Sequence, residues 1–349
     1  MKQEGFYPYD YIDSAEKFND QQLPSKDMFY SLLTDEGITD DSYTHAQKVW
    51  NTFKMKTMGK YHDLYLKSDI LLLADLFENF RKTYFQCYKL DPCHYLTFPG
   101  LSWDAMLKMT NVQLELMTDI DMFQVIEKGM RGGISYIANR RGEASNKYMS
   151  GYDPEKPSKH IMYSDANGMY GWAMSQCLPT RGFKCLSWKK MEKINLATCT
   201  ADCKKGMIME VDLEYPSFLH KLHNDYPRAA EMIRVNKEML SPYCEMIRDK
   251  YGISIRQVSK LIPTLSKKEK YVLHCRNLQL YLSFGVKLKK VHCVLEFDQS
   301  PWLKQYIDFN RQKRMNTKNS FEKDFLNLMN NSVFGKTMEN IRKRVTMRS

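Results

Sequence analysis

The chain has 349 residues, long enough to bury a real core in more than one domain. Its hydrophobic content of 43% and aromatic content of 13% exclude a disordered chain, and its formal net charge of +11 favours an anionic partner, nucleic acid before a membrane surface. The longest apolar run, Ile70 to Ala74, is far short of the ~20 residues that cross a bilayer, so no membrane partner is expected. The start, "MKQEGFYPYDYIDS", has no apolar signal region. Nine cysteines without a disulfide framework fit a reducing nuclear or cytoplasmic compartment rather than secretion. Cys185, Cys199, Cys203, His220 and His223 lack the paired spacing of a zinc site and read as ordinary residues.

In chain order, Met1 to Lys60 reads as loops with short helices. Tyr61 to Leu90 reads as one long helix with an apolar stripe at Leu66, Ile70, Leu73, Phe77 and Phe80, stopped at Asp91-Pro92. A second helix is predicted in "GLSWDAMLKMT". Arg131, Gly132 and Gly133 then precede a strand-like run, the glycines allowing positive φ or a close backbone approach. A polar loop, "GYDPEKPSK", leads into a predicted buried strand, "HIMYSDA", which carries Asp165 at its end. Alternation predicts a half-buried strand over Gly206–Pro216, followed by a helix over Asn277–Phe284 and a strand over Lys289–Phe297. From Pro301 the pattern becomes an antiparallel pair of helices. Between Arg311 and Arg348 lie ten Lys/Arg against three Asp/Glu, and Lys323, Asn327, Asn330/Asn331 and Phe334 recur at helical spacing. A cationic, amide-bearing flank with an aromatic suits a triphosphate and a stacked base; a solvated basic face is the plainer alternative.

Four short motifs then fall in one order. "YLKSD" at Tyr65–Asp69, "MRGG" at Met130–Gly133, "SDANGMYGW" around Asp165 and "LMNNSVFGK" at Leu328–Lys336 resemble, respectively, the third exonuclease motif, the Tyr-x-Gly-Gly signature, motif A and motif B of family B DNA polymerases. The wording of motifs A and B is most similar to the protein-primed branch of organelles, viruses and Polinton/Maverick-like elements. The resemblance implies an α+β fold with an exonuclease-like part (1–127), a linker with the RGG turn (128–159), a palm with an insertion (160–301) and helical fingers (302–349). It also implies template-dependent addition of dNTPs to a 3′ end at two Mg²⁺ ions. In that light Asp165 and Asp69 match metal-binding acids, and Tyr65 matches the tyrosine that orients an attacking water. Tyr170 matches a sugar gate beside Gly168, which replaces a serine; Lys323, Asn331, Phe334 and, more loosely, Arg314 match nucleotide contacts. Arg131, Gly132, Gly133 and Lys336 match DNA contacts. Implied partners are primer-template or single-stranded DNA and a terminal-protein primer, with the chain itself a monomer.

The departures matter as much. Asn327 stands where the family has a lysine, and an amide cannot neutralise a developing pyrophosphate. Met130 replaces the signature tyrosine. No Asp-Thr-Asp follows motif B, and the Asp-x-Glu at Asp212–Glu214 follows motif A and reads as strand. The expectation is a polymerase fragment without motif C or the first two exonuclease motifs. The alternative is a non-catalytic DNA-binding or nucleotide-binding remnant.

Overall fold

The alternating and helical patterns of the sequence can be followed residue by residue in a computed structural model, which describes residues 5–139, 141–254 and 258–343. The chain divides into two units, Met1–Thr97 and Phe98–Ser349.

In the first unit, α1 (Asp40–Thr52) starts at Thr39, whose hydroxyl accepts from Ser42 N at 3.2 Å. Helix α2 (Met58–Tyr88) starts at Thr57 and ends with Lys89 in the left-handed region, φ 56°. The predicted helix is thus present. Asp91 follows, gripped by Arg81 through Nη2 at 2.6 Å and Nε at 2.9 Å, and this guanidinium holds its carboxyl below the usual carboxylate range. The apolar stripe is not covered: Leu66, Ile70, Leu73 and Phe77 are 46%, 57%, 68% and 42% exposed. The turns at 15–19 and 92–94 pack on α2, and its buried residues, Met58, Tyr61, Tyr84 and Tyr88, lie towards its two ends. A run of large tyrosines holds the start of the unit down. Tyr61 Oη donates to Phe6 O at 2.7 Å, and the Tyr7 ring stacks on Tyr65 at 4.8 Å.

In the second unit, α3 (Phe98–Thr110) and α4 (Ile120–Gly129) come first. Helix α4 is capped by Asp119, whose carboxylate accepts from the amides of Asp121 and Met122. Both helices pack within this unit, so the break falls thirty residues before the linker expected from the sequence (98 against 128). Among the described residues, the strands predicted after Gly133 and over His160–Ala166 are absent; both stretches are irregular, with one isolated bridge between Ser145 and Lys159. Ile161, Met162 and Tyr163 are 69%, 79% and 96% exposed. Asp165 therefore does not cap a buried strand. An extended segment becomes a strand only when a neighbour takes its backbone hydrogen bonds, and no described strand lies beside this one.

The remaining elements are α5 (Met169–Met174), β1 (Leu178–Cys185), α6 (Trp188–Met191), β2 (Lys205–Glu214), α7 (Phe218–His223), β3 (Glu231–Arg234) and α8 (Pro242–Tyr251). After them come β4 (Ser259–Ile262), β5 (Lys268–His274), α9 (Cys275–Ser283), β6 (Lys287–Ser300), α10 (Lys304–Asn316) and α11 (Ser320–Thr337). Strands β1, β6, β2 and β5 form one antiparallel sheet in that order, and β3 pairs with β4 in a second. On β2 the inward set Met207, Met209, Val211 and Leu213 packs with Leu219 of α7 and Leu278 of α9. Gly206 admits no side chain, because a Cβ there would lie 2.3 Å from Phe297 Cε2. None of the described helices is long and apolar enough to cross a membrane, and all nine cysteines are free thiols.

One charge is buried where the two sheets meet. Lys268, 1% exposed, donates from Nζ to Glu231 Oε1 at 2.7 Å, Thr264 O at 3.1 Å and Thr264 Oγ1 at 2.5 Å, which uses its three donors. Burial lowers the Lys268 pKa while Glu231 opposes that shift. Removing Glu231 strands a buried cation, so Glu231→Ala is expected to cost about 3–5 kcal/mol in urea unfolding. Lys268→Met, which removes the charge and keeps the bulk, is expected to cost far less; equal losses would contradict the role given to the ion pair.

Candidate functional site

Helix α5 begins at Gly168, which adopts φ 68°. A Cβ there would meet nothing within 4 Å, so the glycine serves the dihedral angle rather than tight space. The turn carries Tyr170 onto Phe334 of α11: the rings lie 4.1 Å apart and 12° from parallel. Two residues remote in sequence, one from motif A and one from motif B, thus share one contact. Helix α5 lies beside α10, and a Cβ at Gly171 would make an ordinary contact, 3.6 Å, with Ile307 Cγ2.

The pairing depends on how α11 sits. Its buried face is Phe325, Leu326, Met329, Ser332 and Val333. That face packs on α3, where Phe98 meets Phe325 edge to face at 5.8 Å. Against α10 the register is set by polar groups. Asn310 Nδ2 donates to Asn330 Oδ1 at 2.8 Å, and Tyr306 Oη donates to Met329 O at 3.3 Å. Both Asn310 and Tyr306 are 0% exposed, and burial pushes the Tyr306 phenol up. Asn330, grouped by spacing with the outward flank, turns inward. Lys323, Asn327 and Asn331 remain on the exposed flank, and Lys323 and Arg314 carry no ion pair among the described residues. Lys336 is already paired with Glu339 at 2.5 Å.

Asp165 lies three residues before Gly168 (165 to 168) in exposed, irregular chain. Among the described residues, no group of three or more His, Cys, Asp or Glu could hold a metal ion. One carboxylate does not fit two magnesium ions that keep most of their waters. Asp212, the other acid weighed from the sequence, is in β2 beside His292 at 2.8 Å and Lys270 N at 2.8 Å.

Arg131 is held inside the fold. Its Nη1 donates to Val272 O at 2.6 Å and Gly129 O at 3.2 Å, and its guanidinium lies 3.8 Å over the Tyr271 ring. Gly132 and Gly133 are exposed, with Gly133 at φ 72°. A cavity of about 450 Å³ brings Arg131 together with Cys177, Leu178 and Pro179, where the chain leaves α5.

In the first unit Tyr65 and Asp69 face each other one helical turn apart, as their spacing predicts. The sequence reading missed Tyr7 and Tyr9. Tyr9 Oη lies 2.5 Å from Tyr65 Oη, and Tyr7 Oη 2.9 Å from His62 Nδ1. The run "FYPYDY" is the signal that could have pointed to them. Burial first, then Tyr9 and Asp69, push the Tyr65 phenol up, and burial pushes Tyr61 up to about 12.

Two outcomes follow from this geometry. A double-mutant cycle on Tyr170→Ala and Phe334→Ala is expected to give a coupling of about 0.5–1.5 kcal/mol in unfolding free energy, and additive losses would mean that the rings do not hold α5. Tyr61, with a folded pKa above the ordinary 10.0, keeps its proton longer folded than unfolded, so its stabilisation is intact below pH ~10 and is lost as pH rises towards about 12. Urea midpoints between pH 9 and 12 (about those limits) should fall less steeply for Tyr61→Phe than for the parent.

The family described as DNA polymerase type B, organellar and viral, matches residues 2–347. Among solved structures, Phi29 DNA polymerase in an orthorhombic crystal form is 12% identical with a TM-score of 0.45. The same polymerase complexed with primer-template DNA and incoming nucleotide substrates is 15% identical with a TM-score of 0.43. Each alignment covers 96% of this chain and 47% of the other, so the chain spans about half the length of the solved proteins it matches. None of the curated proteins matches. The match across nearly the whole sequence shows that the chain belongs to the type B DNA polymerases of organelles and viruses.

Proposed function

We propose that the chain is the nucleotide-selecting part of a protein-primed, template-dependent DNA polymerase that adds dNTPs to a 3′ end. The observation that carries this reading is the Tyr170–Phe334 stack. In this reading the four-stranded sheet is the palm, α10 and α11 are the fingers, and the segment between β1 and β6 contains the insertion. The first unit is the end of an exonuclease-like domain, with Tyr65 and Asp69 as its retained site residues.

Each residue then has a defined task. The Tyr170 ring lies under the sugar and excludes a 2′-hydroxyl, while Phe334 packs against the nascent base pair. Lys323, Asn331 and Arg314 offer donors from the exposed flank to triphosphate oxygens. Gly168 lets the backbone after Asp165 turn towards them. The described residues do not assemble the acids that magnesium needs. Primer-template DNA is the proposed partner, with a terminal protein as primer and the chain acting as a monomer. Nine free thiols suit a reducing nuclear or cytoplasmic compartment.

A second reading, a DNA-binding remnant without catalysis, is favoured by Asn327 in place of lysine and by the single acid at motif A. A primer-extension assay with Mg²⁺, a primed template and all four dNTPs tests whether this chain catalyses. The isolated chain is expected to give no template-dependent product; extension that disappears in Asp165→Asn would establish catalysis and overturn the second reading. Both readings require DNA binding whose affinity falls steeply with salt, and an affinity insensitive to salt contradicts both.

A further inference from the structure

Between the end of β1 and the start of β2 the chain folds over a cavity of about 530 Å³, and none of its lining residues belongs to the Tyr170–Phe334 site. Leu186, Ile194, Cys199 and Met207 supply its apolar floor. Its rim carries Lys190, Lys193, Lys204 and Lys205.

Charge accounting shows what the rim lacks. Lys205 is paired with Asp298, which Arg181 also approaches at 3.8 Å. Glu296, the acid in the lining, is taken by Lys184 at 3.0 Å. Lys190, Lys193 and Lys204 are exposed and have no ion pair among the described residues; Glu192 and Asp202, outside the lining, are exposed and likewise without an ion pair. Three ammonium groups therefore rim a concavity whose lining acid, Glu296, is already engaged. Lysine is a compact, hydrated point charge on a flexible stem, suited to single phosphate oxygens rather than to forked recognition of a planar group. The apolar floor disfavours a fully hydrated small anion. It suits a ligand whose anions are spaced apart by carbon-rich units, and a sugar-phosphate strand has both features.

We propose that this cavity between β1 and β2 binds the phosphodiester backbone of a nucleic-acid strand through Lys190, Lys193 and Lys204. The choice of nucleic acid as the anion rests on the polymerase reading above; the uncompensated cationic rim does not.

The test uses the full chain and a fluorescently labelled primer-template, with dissociation constants measured by anisotropy over a range of NaCl concentrations. Each lost phosphate contact lowers the salt slope by about 0.7–0.9. The variant Lys190→Ala/Lys193→Ala/Lys204→Ala is expected to flatten the slope by about two to three. The variant Lys190→Arg/Lys193→Arg/Lys204→Arg is expected to keep it. A control, Lys48→Ala/Lys56→Ala/Lys82→Ala, removes the same net charge from the first unit and is expected to leave the slope as in the parent. Equal flattening by the control would reduce the effect to overall charge and overturn the proposal, as would an unchanged slope in the first variant. Circular dichroism checks that the variants fold, which surface lysines permit. Absence of DNA binding by the parent chain would bring down the polymerase reading as well, whereas parental binding with an unchanged variant slope brings down this surface alone.

Discussion

The amide pair Asn310–Asn330, buried between α10 and α11, fixes everything downstream of it. A buried amide must find its partner or lose the free energy of an unmade hydrogen bond, about 1–3 kcal/mol. At 2.8 Å the bond admits one register of the two helices, and Tyr306 to Met329 O repeats the constraint one turn away. Apolar faces alone would slide with less penalty. The register sets which side of α11 meets α5, and so whether Phe334 lies over Tyr170 or elsewhere. A hydrogen bond between α10 and α11 thus sets the geometry of the ring pair.

The same region shows how unevenly the two motifs are supported. Motif B is built on a helix with a packed face and a polar lock. Motif A has half of that support: α5 lies beside α10 and is held by the ring stack, while Asp165 precedes it in exposed chain. A catalytic carboxylate works when its rotamer and position are fixed by neighbours. Tyr170 has such neighbours, whereas Asp165 has none that pin it among the described residues.

Electrostatics divides into charge used for structure and charge left free. Arg131, Lys268, Arg342 and Lys205 are engaged by a carbonyl, Glu231, Glu127 and Asp298 in turn. Part of the cationic charge in the sequence is therefore engaged by other groups of the fold. The cations left over, on the outer flank of α11 and around the cavity between β1 and β2, are the ones available to an anionic partner. Composition counted both kinds alike, and Arg131 is the clearest case: its guanidinium ties α4 to β5 through Gly129 O and Val272 O.

The sequence by itself determined the elements whose signal is local. Helical periodicity located α2, α9, α10 and α11, alternation located β2 and β6, and four motifs in order located the family. Those signals are carried by residues within a few positions of one another, through caps, side-chain spacing and the two-residue period of a strand. Tertiary structure decided what depends on a distant partner. It left "HIMYSDA" without a neighbouring strand and so without strand geometry, and it left the middle of α2 exposed because its neighbours reach only towards the ends. It turned Asn330 inward to Asn310, and it brought Tyr9 to Tyr65 and Tyr170 to Phe334. None of these is written in a local pattern, because a hydrogen bond or a ring contact across the fold depends on which surfaces the remaining chain brings together.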